Sequence, residues 1–270
     1  MKLTEMTTLE VDRLSRKVVV LFPIAALEQH SGHLPVFTDS FLCGTVAEQV
    51  EANLPKDVLL LPVQWLGSSS HHLSFPGSLS AELDTHVQVI CQTLSSLLDH
   101  GFANMLVLNG HGGNQDPMHV ALRKLTLKYP KANLAAASYW DIAKQTIANH
   151  LTGPLKQVGH AGEMETALMM AVRPDLVKTR LIRDDPPRND SRLGGVFIPP
   201  DMRRYTGQGS VGYATKASAS QGKRLLKAII KDVTAAVAIL RKNATRATSK
   251  STTARSGRKK QTKRVKKLSR

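Results

Sequence analysis

Between Glu28 and Asp39 the chain places Glu28, His30, His33 and Asp39, two carboxylates and two imidazoles, in a stretch that reads as a loop. Carboxylate and imidazole without thiolate form the donor set of a catalytic zinc or manganese centre with open positions; calcium takes more oxygens and structural zinc usually takes cysteine. Glu28 and His30 are two apart, so an extended backbone turns both to one side. Asp39, at the head of the next helix, can be brought back toward them. Three later segments carry histidine as well: GSSSHHLSFPGSLS with His71 and His72, NGHGGN with His111, and GHAGEMET with His160, Glu163 and Glu165. A lone histidine in such a place is ordinarily a hydrogen-bonded loop or core residue. Histidines after successive strands point instead to one shared centre. Glycines on both sides of His111 let it approach a ligand closely. The same loop lacks the Lys-Ser/Thr of a nucleotide-binding loop and the dinucleotide glycine spacing, which argues against a phosphate cradle. Glu163 and Glu165 fall in the first turn of an apolar helix, where acidic residues are favoured by the dipole and are ordinarily surface residues; His160 just ahead of them points to a shared site.

The elements that must position these loops alternate. KVVVLFPI (17–24), DVLLLPVQW (57–65), ANMLVLN (103–109) and ANLAAASYW (132–140) are short apolar runs of the kind buried in a parallel sheet. Between them lie helical patterns, the clearest with Leu83, Val87, Ile90, Leu94, Leu97 and Leu98 on one face and Gly101 at its end. The alternation predicts an α/β fold with a parallel sheet covered on both faces. In such folds ligands bind outside the carboxyl ends of the strands, where the histidine-bearing loops emerge.

The chain has 270 residues and a formal charge of +16, which raises the question of a nucleic-acid or anionic-surface partner. Thirteen Lys or Arg and no Asp or Glu lie between Arg241 and Arg270, so the rest of the chain is close to neutral. Composition divides the protein into a globular domain over 1–244 and a basic tail over 245–270 that lacks core-forming residues and is expected to be disordered. Asp184 to Gly212, rich in Gly, Pro and Asp, is expected to be a long surface excursion, either a lid or a subunit contact. Cys43 and Cys91 sit in apolar helical patterns, which fits a reducing compartment; with no signal-peptide core and no long apolar run, the expected location is cytoplasmic.

Taken together, EQHSGHLPVFTD, GSSSHHLSFPGSLS, LNGHGGN and HAGEMET resemble the creatininase (creatinine amidohydrolase) family, in family order. The resemblance implies a three-layer α/β/α fold with a mostly parallel sheet, a centre of two divalent ions (zinc, manganese or iron), hydrolysis of a non-peptide C–N bond in a small-molecule amide, and a homo-oligomer, often a hexamer. Carried over by position, Glu28, Asp39 and His111 correspond to ligands of one metal, and His30 with the shared Asp39 to ligands of the second. The family's glutamate two residues after the strand-three histidine is Gly113 here; Glu165 is the candidate replacement and Glu163 the second choice. Ser69 and His72 match substrate-side or supporting positions, although His71 stands where an acidic residue is common. Creatininase itself places a bulky aromatic after the His111 equivalent and a Trp-Asp pair ahead of the His160 equivalent. This chain has Gly112, Lys156 and Gln157, which speaks against creatinine as the substrate. The implied mechanism is attack of a metal-activated water on an amide carbon, with His160 protonating the departing nitrogen and Glu163 relaying the proton.

Two other readings compete. One is a nucleic-acid or polyanion-binding protein that uses the basic tail and carries a vestigial hydrolase body; its support is the tail's charge, without interleaved aromatic residues. The other is a family member whose site has decayed, against which the retained Glu28, His30, Asp39 and His111 speak.

Overall fold

The computed structural model describes residues 1–188, 198, 199 and 201–265, with backbone alone over 244–265. A short helix α1 (Thr8–Asp12) leads into β1 (Val19–Ile24), α2 (Thr38–Asn53), β2 (Val58–Leu60), α3 (Leu83–Asp99), β3 (Asn104–Asn109), α4 (Gln115–Lys128) and β4 (Asn133–Ser138). Two short helices α5 (Tyr139–Ile142) and α6 (Lys144–His150) follow, then α7 (Glu163–Val172), α8 (Met202–Tyr205) and α9 (Ala219–Val265). The strands pair in parallel in the order β2-β1-β3-β4.

Alternate side chains of each strand serve different layers, which is why the strand sequences are apolar throughout. Val20, Phe22 and Val107 face Val87, Ile90 and Leu94 of α3 and Met118, Ala121 and Leu125 of α4. Val19, Leu21, Leu106 and Leu108 face the layer formed by α2, α7 and α9, where Leu225, Ile229, Val233 and Val237 make a fully buried ridge. The result is the three-layer α/β/α arrangement expected for the sequence.

Two elements differ from the sequence expectation. β2 ends at Leu60 instead of running to Trp65: after Leu61 N bonds Leu21 O the next rung would need an N–H from Pro23 of β1, which has none. The chain still follows β1 there, through bonds from Leu61 N to Leu21 O, Gln64 N to Pro23 O and Ala25 N to Gln64 O. Helix α9 continues past residue 245 into the stretch that composition reads as disordered; that stretch is rich in Lys and Arg and contains no proline, and its backbone is helical to Val265. Residues 266–270 lie outside the described residues.

The strand order reverses between β1 and β3: the chain leaves β1 for β2 on one side and returns to β3 on the other. Ile24 and Asn109, the last residues of these strands, are register partners, and Gly110 N bonds Ile24 O at 2.9 Å. The loops carrying Glu28 and His111 therefore leave the sheet side by side. Gly110 is required here, since a Cβ would lie 2.5 Å from Cβ of Cys43 on α2.

Candidate metal centre

Asp39 occupies the first turn of α2, where the helix N-terminus favours a carboxylate. Its two oxygens face different histidines: Oδ1 is 3.1 Å from His30 Nε2, and Oδ2 is 3.1 Å from His111 Nδ1. Glu28 stands on the other side of His111, with Oε2 3.2 Å from Nδ1, and its Oε1 lies 3.3 Å from His72 Nε2 and 3.6 Å from His160 Nδ1. Glu165 Oε2 is 3.9 Å from His30 Nε2. All of these side chains except His160 are almost completely buried.

Backbone carbonyls fix the imidazoles. A carbonyl only accepts, so His30 Nδ1 donates to Glu28 O at 3.1 Å, His111 Nε2 to Ser68 O at 3.0 Å and His160 Nε2 to Gln29 O at 2.8 Å. In each ring the remaining nitrogen is the one that faces the carboxylates. Gln29 Oε1 accepts from Ser31 N, so its Nε2 donates to Gly209 O and to His72 Nδ1, and His72 turns an N–H toward Glu28. A histidine whose outer nitrogen is held by a carbonyl while its inner nitrogen faces carboxylates is oriented as a metal ligand. Two buried oxygens, Glu28 Oε2 and Asp39 Oδ2, face His111 Nδ1 and have no other partner. A divalent cation fits this donor set and would satisfy both. Four overlapping triads, drawn from Glu28, His30, Asp39, His71, His72, His111, His160 and Glu165, bring their donor atoms within 4.8 Å of one another.

The electrostatics follow from burial and charge. Burial opposes ionisation of His30, but Asp39, Glu165 and Glu28 outweigh it and raise its pKa to about 10. Burial likewise opposes a charged His111, and Glu28 and Asp39 hold its pKa well above the ordinary value. His160 and His72 go the other way: burial, then neighbouring imidazoles, keep both well below the usual range and hence neutral. Burial, reinforced by Asp39 and Glu28, raises Glu165 to about 7 despite the opposing pull of His30. For Asp39 the two histidines overcome the burial penalty and depress the pKa.

Two residues beside the cluster carry backbone strain. Ser31, after His30, and Ala161, after His160, have φ of 56° and 48°, in the left-handed region that non-glycine residues seldom adopt. Their N–H groups are thereby placed on Gln29 Oε1 (2.9 Å) and Glu165 Oε2 (2.6 Å).

Not every residue singled out from sequence joins the cluster. His33 turns away to Thr166 Oγ1 (2.9 Å), behind the site. Glu163 is taken up entirely by the neighbouring backbone and α9: it accepts from Thr152 N, Thr152 Oγ1, Gly153 N and Gln221 Nε2, and no bond joins it to His160. That arrangement turns its oxygens to the 152–153 turn and α9, as a brace between them, and not to His160, beside which the relay was expected. Glu163→Ala is expected to cost about 2–3 kcal/mol, from several buried donors left unpaired, or about 4–10 °C in Tm. Metal content should be unchanged; thermal denaturation alongside elemental analysis checks both.

Ser69 lies behind the site, with Oγ 3.2 Å from His111 Nε2, and is fully buried. His72 holds Glu28 and lines the cavity as well. At Gly113 a Cβ would fall 2.0 Å from Ser68 O and 2.7 Å from His111 Nε2, so the loop cannot carry a glutamate there without moving.

Sequence reasoning passed over Gln29 and Asn109. Asn109 Nδ2 donates to His111 O and its Oδ1 accepts from His111 N, which clamps the glycine turn. A polar residue ending the apolar run of β3 was the available signal. The described part of the Asp184–Gly212 excursion also reaches the site, because His160 and Val211 pair through two backbone bonds of 3.0 and 2.7 Å. Pro199 and Met202 line the cavity together with Trp140, Leu83 and Val158. Residues 189–197 and 200 of the excursion lie outside the described residues. The cavity, about 860 Å³, opens directly onto Glu28, Asp39, His111, His160 and Glu165.

A parallel sheet with buried carboxylates and carbonyl-oriented imidazoles at its switch point defines a metal-dependent hydrolase. Comparison with known proteins narrows the class. The profile of the creatininase family, described as creatinine amidohydrolase, matches residues 4–237. The chain is 29% identical over 237 residues to the creatinine amidohydrolase of Pseudomonas putida, covering 81% of this chain and 88% of that one. It is 26% identical over 224 residues to the mycofactocin precursor peptide peptidase of Mycolicibacterium smegmatis, covering 78% and 81%. Among solved structures, a zinc–zinc form of a creatininase mutant superposes with a TM-score of 0.74, and a manganese form of creatininase with 0.73; each is 26% identical and covers 87% of this chain and 96% of its own. The protein belongs to the creatininase family, whose members are metal-dependent amidohydrolases acting on C–N bonds.

Proposed function

We propose that the protein hydrolyses a C–N bond of the cyclic-amide or formamide type in a small molecule, at a centre of two divalent ions, zinc or manganese. The observation that carries this reading is Asp39, whose two oxygens address two separate carbonyl-oriented histidines, as a bridging carboxylate must. Glu28 and His111 would hold one ion with Asp39, and His30 and Glu165 would hold the other with Asp39. Glu165 takes the place that Gly113 leaves vacant. When bound, the ions supply a water acidified toward neutrality and polarisation of the scissile carbonyl.

The chain's own groups handle the protons. His160 is neutral at pH 7, so it acts first as a base: Nδ1, the nitrogen free of Gln29 O, takes a proton from the attacking water and returns it to the departing nitrogen. His72 donates to Glu28 and holds it in place. Trp140, Leu83, Val158 and Met202 give the substrate an apolar wall. Two relatives with different reactions, at nearly equal identity, support leaving the acyl portion of the substrate open. The creatininase likeness also supports a homo-oligomer. No helix among the described residues is long and apolar enough to cross a membrane.

Metal content per subunit tests the reading: two equivalents are expected after zinc or manganese loading, and none would overturn it. A pH dependence goes with it. Below a pKa of about 10 the metal-free site holds a proton on His30, and His111, raised well above the ordinary imidazole value, holds one too. Binding must expel these protons, so affinity rises with pH, by about tenfold per unit for each proton released. Chelator competition at pH 6 and pH 8 should show markedly easier stripping at pH 6, and equal affinities would contradict the ligand roles of both histidines.

A further inference from the structure

Residues 219–270 hold 17 of the 37 Lys and Arg and one of the 21 Asp and Glu, so the first 218 residues carry twenty of each. The whole formal charge of +16 therefore belongs to α9 and the few residues after it. The family profile ends at residue 237, so most of this charge lies beyond the hydrolase fold proper.

On the described part of α9 the charge lines a groove. A cavity of about 1040 Å³ runs between α9, α2 and the C-terminal end of α7. Lys223, Arg224, Lys227 and Lys231 form one side, all exposed, and Gln49 and Asn53 of α2 stand opposite. No Asp or Glu lines it, and none of the four cations has an ion pair among the described residues. Lys223, Lys227 and Lys231 repeat at i+4, a rise of about 6 Å per step along one helix face.

We propose that this groove holds the phosphate backbone of duplex nucleic acid without reading its sequence. Lysine, arginine and side-chain amides are the groups that contact phosphates and set register. Residues 219–270 contain no aromatic side chain, so base stacking is not on offer. After Leu240 the large apolar residues are Val265 and Leu268, too few for the apolar face that a membrane-surface helix needs. The groove shares no lining residue with the cavity over the candidate metal centre, so an occupant leaves the hydrolase site open.

The test is fluorescence anisotropy of the full-length protein with a labelled duplex DNA of arbitrary sequence, titrated at several salt concentrations. Binding should weaken steeply with salt, with a log–log slope of about −0.9 per phosphate contacted. The double variant Lys227→Glu/Lys231→Glu should bind at least about tenfold more weakly at low salt and lose about two units of slope. Its hydrolytic turnover should match the parent. Unchanged affinity in that variant would assign binding to the tail alone and overturn the groove, as would absence of binding, or tighter binding to phosphatidylserine vesicles than to DNA.

Discussion

Asp39→Ala is expected to leave a folded protein with neither metal ion and with turnover lower by on the order of 10⁴-fold or more, the scale of losing an essential member of a hydrolytic centre. The expectation rests on position. Asp39 is the one carboxylate whose oxygens address both His30 and His111, each at 3.1 Å, so its removal opens both halves of the cluster together. Glu28 and Glu165 each face only part of what remains. Asp39→Asn is the sharper variant, because it preserves volume and removes the anion that keeps the two imidazoles attractive to a cation. Circular dichroism should change little in either variant, since α2 is anchored by its apolar contacts with β1 and α9. Elemental analysis decides the point: one equivalent retained in Asp39→Ala would show that the ions are held independently and that Asp39 does not bridge.

Much of this site was legible because its signals are local. An apolar β-branched run, then a loop with alternating Glu28 and His30, then a helix headed by Asp39, gives a strand, a loop and an N-terminal carboxylate from sequence spacing alone. The register that puts Ile24 beside Asn109 follows from parallel pairing, and with it the meeting of the first and third loops. What escaped depends on contacts distant in sequence. His33 has the same chemistry as His30 and is three residues away, yet the turn at Ser31 sends it to Thr166, 133 residues on. Glu163 and Glu165 alternate on one helical turn, and nothing in their spacing says which one meets His30. The choice is made by Thr152, Gly153 and Gln221, which claim Glu163, and by Ala161 N, which turns Glu165 toward His30. Gly113 presents a different case: its identity was plain, but the closeness of Ser68 O that requires it belongs to the second loop.

His160→Ala is expected to keep both metal ions and to lower kcat by about 10²- to 10⁴-fold, the usual worth of a positioned proton-transfer group. Geometry separates this residue from the rest of the cluster. Its outer nitrogen is fixed by Gln29 O at 2.8 Å, its backbone is paired to Val211, and its Nδ1 lies 3.6 Å from Glu28, farther than any contact His111 makes with the same carboxylate. It is also the most exposed imidazole among those facing Glu28, with its side chain 14% accessible. Burial and the charge of His30 keep it neutral, which suits a group that must accept a proton before it can return one. The loss should therefore depend on the leaving group: an anilide, whose nitrogen departs with less need of protonation, should suffer less than an alkyl amide. A uniform loss across both substrates would remove the acid role and leave the base role standing. Loss of one metal equivalent together with activity would instead make His160 a ligand, as its place within 4.8 Å of His30 and Glu165 donor atoms also permits. The Gln29 carbonyl holds His160 Nε2 through backbone geometry, and the Gln29 amide nitrogen lies 3.1 Å from the same ring nitrogen, so Gln29→Glu should keep the carbonyl bond while disturbing His72, Gly209 and the side-chain contact with His160. If His160 is the proton carrier, Gln29→Glu will retain far more turnover than His160→Ala, because the oriented ring nitrogen survives the change.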